Sequence, residues 1–209
     1  SLGVADATGI AKQFGLQKGA WEYVPYKGWK YKMNGNYLVN TSQVINGKRY
    51  CFDSDGYMCY GWKQIAGETY YLQSDGSAKS GWMYQSGNWF YFVPDKCTMV
   101  TGWKAVSGKW YYMDSQGVMQ TGWLYLSNGT FYLNPSGDAA IGWKLVDGTT
   151  YYYFDANGYM LKGEQVIGGR RYYLDETTGK YIREITEGWN YISGKWYYYV
   201  SGTKVTNSW

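Results

Sequence analysis

The apolar positions of this chain come in runs of four or five residues, each bounded by glycine, and the runs return at a nearly constant interval. In the clearest stretch, Trp103 to Val106 reads as a first strand, Ser107-Gly108 as a two-residue turn and Lys109 to Met113 as the returning strand. Aromatic and β-branched residues favour a pleated surface, and a residue-glycine pair permits the positive φ that a tight hairpin requires. Strand alternation sets Trp110 and Tyr112 on one face and Tyr111 on the other. Asp114 to Gly117 then turns the chain toward the next run.

The glycine of a Gly-Trp pair falls at Gly61, Gly81, Gly102, Gly122 and Gly142, in steps of 20, 21, 20 and 20. The residue-glycine turn recurs as Asn46-Gly47, Ala66-Gly67, Ser86-Gly87, Asn128-Gly129, Asp147-Gly148 and Ser193-Gly194. A fixed period of this length marks an array of units, each too small to bury its own apolar face. Aligned on the turns, nine units begin near Ala20, Thr41, Gly61, Gly81, Gly102, Gly122, Gly142, Gly163 and Gly188. Because a lone hairpin is marginal in water, each must stack on the next. The expected fold is all-β, a β-solenoid of stacked ~20-residue hairpins over residues 20–209.

The irregular places are informative too. The first unit pairs Trp21 with Trp29 across a longer connection, Val24 to Lys27. Thr41-Ser42 and Gly163-Glu164 replace Gly-Trp in two units, the eighth unit carries an insertion around Thr177 to Glu187, and Ser208-Trp209 opens a further unit. Residues 1–19 lack the pattern and read as a linker or the tail of an upstream region, the helical character of Ala5 to Gln17 being broken by Gly9 and Gly15.

Composition narrows the chemistry. With 26 Tyr and 12 Trp, aromatics reach 21% of the chain, and rings with polar edges need partners, either neighbouring repeats or a ligand. The net charge of +4 is spread along the chain, so nucleic acid is not an expected partner. No apolar run is long enough to span a membrane. The absence of histidine excludes common zinc sites and histidine-based triads, and no metal or cofactor is expected. Asp53, Asp114, Asp155 and Asp175 occupy one turn position in successive units and read as turn-holding residues rather than catalytic pairs. Asp53-Ser54-Asp55-Gly56 opens like a calcium loop but meets Gln64 where a bidentate glutamate would be needed. Cys51, Cys59 and Cys97 lack CxxC spacing and read as free thiols, a Cys51–Cys59 approach being the alternative. The chain starts at Ser1 rather than Met and is taken as a fragment or processed form; the catalytic domain of an enzymatic parent would precede Ser1.

Gly-Trp, residue-Gly, Trp-Tyr-Tyr, Gly-x-Met and Thr-Gly-Trp together resemble the choline-binding, or cell-wall-binding, repeats of Gram-positive surface proteins, with related repeats in glucan-binding regions and clostridial toxins. The resemblance covers roughly residues 20–209. It implies hairpins wound as a left-handed superhelix, with choline held between consecutive hairpins by the tryptophan of Gly-Trp, the first aromatic of Trp-Tyr-Tyr, an aromatic of the next hairpin and the methionine of Gly-x-Met. A quaternary ammonium cannot donate a hydrogen bond, so aromatic faces recognise it, each worth about 0.5–2 kcal/mol. An array then multiplies weak sites on a polymer.

Carried over residue by residue, the resemblance implies ligand-binding walls at Trp82 and Trp89 with Met99 and Tyr112, and at Trp103 and Trp110 with Met119 and Tyr132. Trp189 and Trp196 keep the pair in the last unit. At the place of Trp110 the other units carry Arg49, Thr69, Thr130, Thr150 and Arg171, which leaves Trp62, Trp123 and Trp143 without that partner. The implied function is noncatalytic: a secreted, cell-wall-associated module that anchors a larger protein through choline on teichoic acid. A glucan or host-glycan binder and a ligand-free stalk are the alternatives, and a homodimer is left open.

Overall fold

Most repeats begin where only glycine is comfortable. The five evenly spaced Gly-Trp glycines, Gly61 to Gly142, hold φ between +66° at Gly61 and +78° at Gly122, a left-handed conformation that a side chain would strain. At five two-residue turns, Asn46-Gly47, Ala66-Gly67, Ser86-Gly87, Ser107-Gly108 and Ser193-Gly194, both residues are left-handed, as at Ser107 (φ +50°) and Gly108 (φ +77°), which gives the turn whose twist matches that of the flanking strands. These two fixed points cut the chain into hairpins.

The computed structural model describes residues 19–206; the expected linker, Gly19 apart, and the new unit at Ser208-Trp209 lie outside the described residues. The described residues form strands and turns, in nine antiparallel sheets of two or three strands. The chain divides into two units. Of the described residues, the first holds 19–102 together with Met113–Met119, and the second holds Trp103–Tyr112 and 120–206.

In the first unit, β1 (Gly19–Val24), β2 (Gly28–Met33) and the short β3 (Asn36–Tyr37) form one sheet. Three hairpins follow: β4 (Thr41–Ile45) with β5 (Lys48–Phe52), β6 (Gly61–Ile65) with β7 (Glu68–Leu72), and β8 (Gly81–Gln85) with β9 (Asn88–Phe92). The second unit contains most of the hairpin of β10 (Gly102–Val106) and β11 (Lys109–Met113). Then come β12 (Gly122–Leu126) with β13 (Gly129–Leu133), and β14 (Gly142–Val146) with β15 (Thr150–Phe154). β16 (Gly163–Ile167), β17 (Arg170–Leu174) and β18 (Tyr181–Ile185) form a three-stranded sheet, as do β19 (Gly188–Ile192), β20 (Lys195–Val200) and β21 (Thr203–Lys204). The insertion expected in the eighth unit is therefore β18, a third strand paired to β17.

Two turns depart from the sequence reading. Leu126 pairs with Gly129, so the sixth hairpin turns at Ser127-Asn128 and Gly129 belongs to β13. Val146 pairs with Thr150, so the seventh turns over three residues, Asp147 to Thr149.

A repeated backbone stitch joins consecutive hairpins. In the first unit the Met58 N–H donates to the Trp29 carbonyl at 2.7 Å, Ala78 to Arg49 at 2.7 Å, Met99 to Thr69 at 2.8 Å and Met119 to Trp89 at 2.8 Å. In the second unit Ala139 donates to Trp110 at 2.8 Å and Met160 to Thr130 at 2.9 Å. Each bond runs from the linker after one hairpin back to the returning strand of the hairpin before. The linkers are held by their aspartates: Asp53 Oδ1 accepts from the N–H groups of Asp55 and Tyr57, and Asp155 Oδ1 from those of Asn157 and Tyr159. These carboxylates thus spend their acceptors on backbone, as the turn reading requires.

The two faces of a hairpin have different fates. In β14–β15, Val146, Tyr152 and Phe154 are buried together with Ala140, whereas Trp143 and Leu145 on the other face are partly exposed. In the first unit Cys51, Cys59 and Cys97 are free thiols buried in one cluster with Ile65, Tyr70 and Leu72. Burial, and then the neighbouring Cys59, push the Cys51 thiol up to about 12. Because the folded state raises this pKa, its contribution is intact below the ordinary thiol range and is lost as pH rises through it. The urea midpoint is expected to fall between about pH 8.5 and 11, and Cys51→Ala to flatten that fall. An unchanged slope in the variant would show that Cys51 does not set the alkaline limit.

Candidate functional site

The first hairpin and its successor build an aromatic box. Trp21 lies opposite Tyr31 in the β1–β2 ladder and Trp29 opposite Tyr23, so both indoles stand on the same face. Their ring centroids are 6.4 Å apart at 88°, and Tyr50 of β5 meets Trp21 edge-on at 5.0 Å. Met58, pinned by its bond to the Trp29 carbonyl, completes a hollow of about 260 Å³ lined by Trp21, Trp29, Tyr50, Met58 and Asp75. Met58 is held from behind by Gly76, where a Cβ would fall 2.3 Å from its sulfur. At the mouth, Asp75 pairs with Lys48 at 2.9 Å. Hydrogen bonds from the Ser77 hydroxyl and then Lys48 hold its carboxyl well below the usual range, so it stays anionic. Three π faces, a polarizable thioether and a carboxylate suit a bulky cation that donates no hydrogen bond.

The third wall obeys a rule. Tyr50, Phe90, Tyr152 and Tyr172 are the middle residues of their returning strands, and they meet Trp21, Trp62, Trp123 and Trp143 of the preceding hairpins at 4.8–5.1 Å. Phe131 does the same to Trp103 at 4.9 Å. A hairpin thus uses one face for its own box and the other to close the box before it.

This rule moves several expected walls. Tyr112 stands against Trp103 of its own hairpin at 5.2 Å, and Tyr132 against its own Trp123 at 5.2 Å. The wall opposite Trp103 is Phe131, one residue before Tyr132 and on the other face of the strand. The methionines shift by one unit, because the stitch carries each linker backward: Met119 is bonded to Trp89, whereas Met99 is bonded to Thr69 beside the Trp62 box. Trp82 and Trp89 are together, 6.2 Å apart at 89°, with Tyr91 5.0 Å from Trp82. Trp103 and Trp110 line one pocket. Trp189 and Trp196 share an open hollow, but they are 65% and 63% exposed, and Lys204 Nζ sits 3.4 Å over the neighbouring Tyr197 ring.

Two boxes escaped the sequence reading. Trp21 and Trp29 are separated by eight residues instead of seven, which hid their equivalence to the other pairs. In the seventh hairpin the three-residue turn places Tyr151, rather than Thr150, opposite Leu145, at the register held elsewhere by the second tryptophan. Trp143 there meets Tyr172 at 5.1 Å and Tyr181 of the inserted β18 at 5.6 Å. A one-residue slip in the turn was the available signal.

The family model for the choline-binding repeat matches residues 59–96, 100–141 and 140–184, more than half of the chain. The chain belongs to the choline-binding repeat family. Choline-binding protein F from Streptococcus pneumoniae, solved in the presence of a peptidoglycan analogue, is similar with a TM-score of 0.66 at 29% identity, over 79% of this chain and 58% of that one. The same protein in complex with ipratropium gives 0.63 at 28%, over 79% and 60%. The modular autolysin LytC of Streptococcus pneumoniae, in complex with a synthetic peptidoglycan ligand, gives 0.52 at 27%, over 90% and 48%. The chain therefore spans about half to three fifths of these structures' length. Among curated proteins nothing matches the chain.

The two repeats that lack Gly-Trp carry polar contacts at the corresponding positions. In the second hairpin the Arg49 guanidinium donates to Ser42 Oγ at 3.0 Å and to the Asp95 carbonyl at 3.3 Å, and Ser42 Oγ is 3.2 Å from the Tyr70 hydroxyl. In the eighth, Glu164 accepts from the Tyr199 hydroxyl at 2.5 Å and pairs with Arg171 at 3.6 Å. At both positions an arginine of the returning strand is engaged by a polar residue that stands where Gly-Trp has its tryptophan, Ser42 for Arg49 and Glu164 for Arg171. Among the described residues no helix is long and apolar enough to cross a membrane.

Proposed function

We propose that this chain is a noncatalytic anchoring module that holds choline groups of a cell-wall polymer, teichoic acid in the first instance, in aromatic boxes between consecutive hairpins. The observation that carries this reading is the Trp21–Trp29–Tyr50–Met58 hollow with an anionic Asp75 at its mouth. The Trp82–Trp89 pair beside Met119 and the Trp143–Tyr172–Tyr181 group supply further sites of the same chemistry. A site of two or three rings is weak, and several on one polymer-binding array restore affinity through effective concentration. The hairpins stack as a β-solenoid, the residues before Gly19 serve as a linker or as the tail of an upstream region, and the module acts outside the cell at the wall.

The test is a thermal melt of the chain with choline chloride, against sodium chloride and a simple sugar. A ligand at 100 times its dissociation constant stabilises the native state by about 2.7 kcal/mol per site, which is several degrees for a chain of this size. The expected result is a rise specific to choline. Equal curves in choline and sodium chloride would overturn the reading.

A further inference from the structure

The pocket at Trp103 and Trp110 has a different chemistry from the Trp21 box. Where the first box is closed by Met58, the corresponding stitch residue here is Ala139, whose N–H donates to the Trp110 carbonyl at 2.8 Å. Trp110, 49% exposed, stands between two hollows. One, of about 410 Å³, is lined by Trp103, Trp110, Asn128, Phe131, Asn157 and Tyr159. The other, of about 280 Å³, shares Trp110 and Asn157 and adds Lys109, Asn134 and Asp138.

The polar groups are positioned. Asn128 Nδ2 donates to the Tyr159 hydroxyl at 3.2 Å. Tyr159 can lie against the strand because residue 129 is glycine; a Cβ there would fall 2.6 Å from the tyrosine ring. In the second hollow Asp138 Oδ2 accepts from Asn134 Nδ2 at 3.2 Å and from Lys109 at 3.4 Å, while Ser136 donates to Oδ1. A trimethylammonium group gains nothing from such amides and hydroxyls, whose desolvation it cannot repay with hydrogen bonds. A pyranose ring does: its C–H face lies on an indole, and its equatorial hydroxyls reach amides, carboxylates and ammonium groups.

We infer that the cleft around Trp110 is a glycan site, taking two consecutive pyranose units of a neutral oligosaccharide, one in each hollow, with Trp110 as the platform between them. The site is separate from the choline boxes, so the module would grip the sugar backbone of a wall polymer as well as its cationic substituents.

The experiment follows the Trp103 indole N–H by NMR in the full chain during titration with chitotetraose and, separately, isomaltotetraose, in saturating choline chloride. A saturable, choline-insensitive shift with either sugar is expected. Trp110→Ala should weaken it about tenfold or more. Asn157→Ala, an exposed position, should weaken it about 2- to 12-fold, the effect of one hydrogen bond. The choline-dependent shift of the Met58 methyl, read in parallel samples with and without choline, reports on the first box independently and shows that each variant is folded. The proposal is overturned if neither sugar moves Trp103, if the shift survives Trp110→Ala, or if choline displaces the sugar.

Discussion

Trp29→Ala is expected to lower the affinity of the first box for choline by about 2- to 30-fold while leaving the fold intact. The reasoning is local. Trp29 is 40% exposed, on the ligand face of β2, and its indole is one of three rings around the hollow. Removing one ring forfeits a cation–π contact of about 0.5–2 kcal/mol. Trp21 is a poorer test, because it also packs on Tyr31, Tyr50 and Phe52, and its loss would open the core. Since other boxes bind the same ligand, the measurement must be specific to this one. The Met58 methyl resonance, followed during choline titration, meets that need. If Trp29→Ala leaves the Met58 titration unchanged, the first box is a packing motif and not a cation site.

Phe154→Ala is expected to destabilise the protein by about 3–5 kcal/mol, the usual cost of deleting a buried aromatic side chain. Phe154 is fully buried, on the face of β15 opposite to its ligand face, packed with Ala140, Val146 and Tyr152. Its ring also approaches Trp123 at 6.2 Å and Tyr132 at 6.5 Å, so its loss loosens the sixth and seventh hairpins together. Stability in an array is a sum of local and neighbour terms. Amide exchange should therefore accelerate first in β12–β15, and the urea midpoint should fall. A drop below 1 kcal/mol would mean that the cavity collapses and that the hairpins are held by the backbone stitch more than by the core.

The contrast between these two substitutions reflects the division of labour between the faces of one hairpin. Aromatics at even and odd positions of Trp-Tyr-Tyr look alike in sequence, yet Trp110 is exposed while Phe131, in the middle of the next returning strand, is buried. Alternation was readable from the sequence, including the placement of Tyr111 apart from Trp110 and Tyr112. Which face closes the preceding box was not, because that depends on how one hairpin stacks on another. Tyr112 and Tyr132 were accordingly expected as third walls, and each lies instead on its own hairpin's tryptophan.

The sequence by itself determined the hairpin period, the left-handed glycines that enforce it, the turn-holding aspartates and the aromatic chemistry of the boxes. All of these are local: they follow from φ restrictions, side-chain alternation and hydrogen bonds within a few residues. Only the tertiary structure decided which residues share a box. The stitch from Met58 to Trp29 and from Met119 to Trp89 carries each linker back onto the previous hairpin, so every methionine serves the unit before the one expected. A three-residue turn in the seventh hairpin and a third strand in the eighth restore rings that spacing alone had removed. Such contacts depend on the packing of one repeat against its neighbour, and no pattern confined to a single repeat contains them.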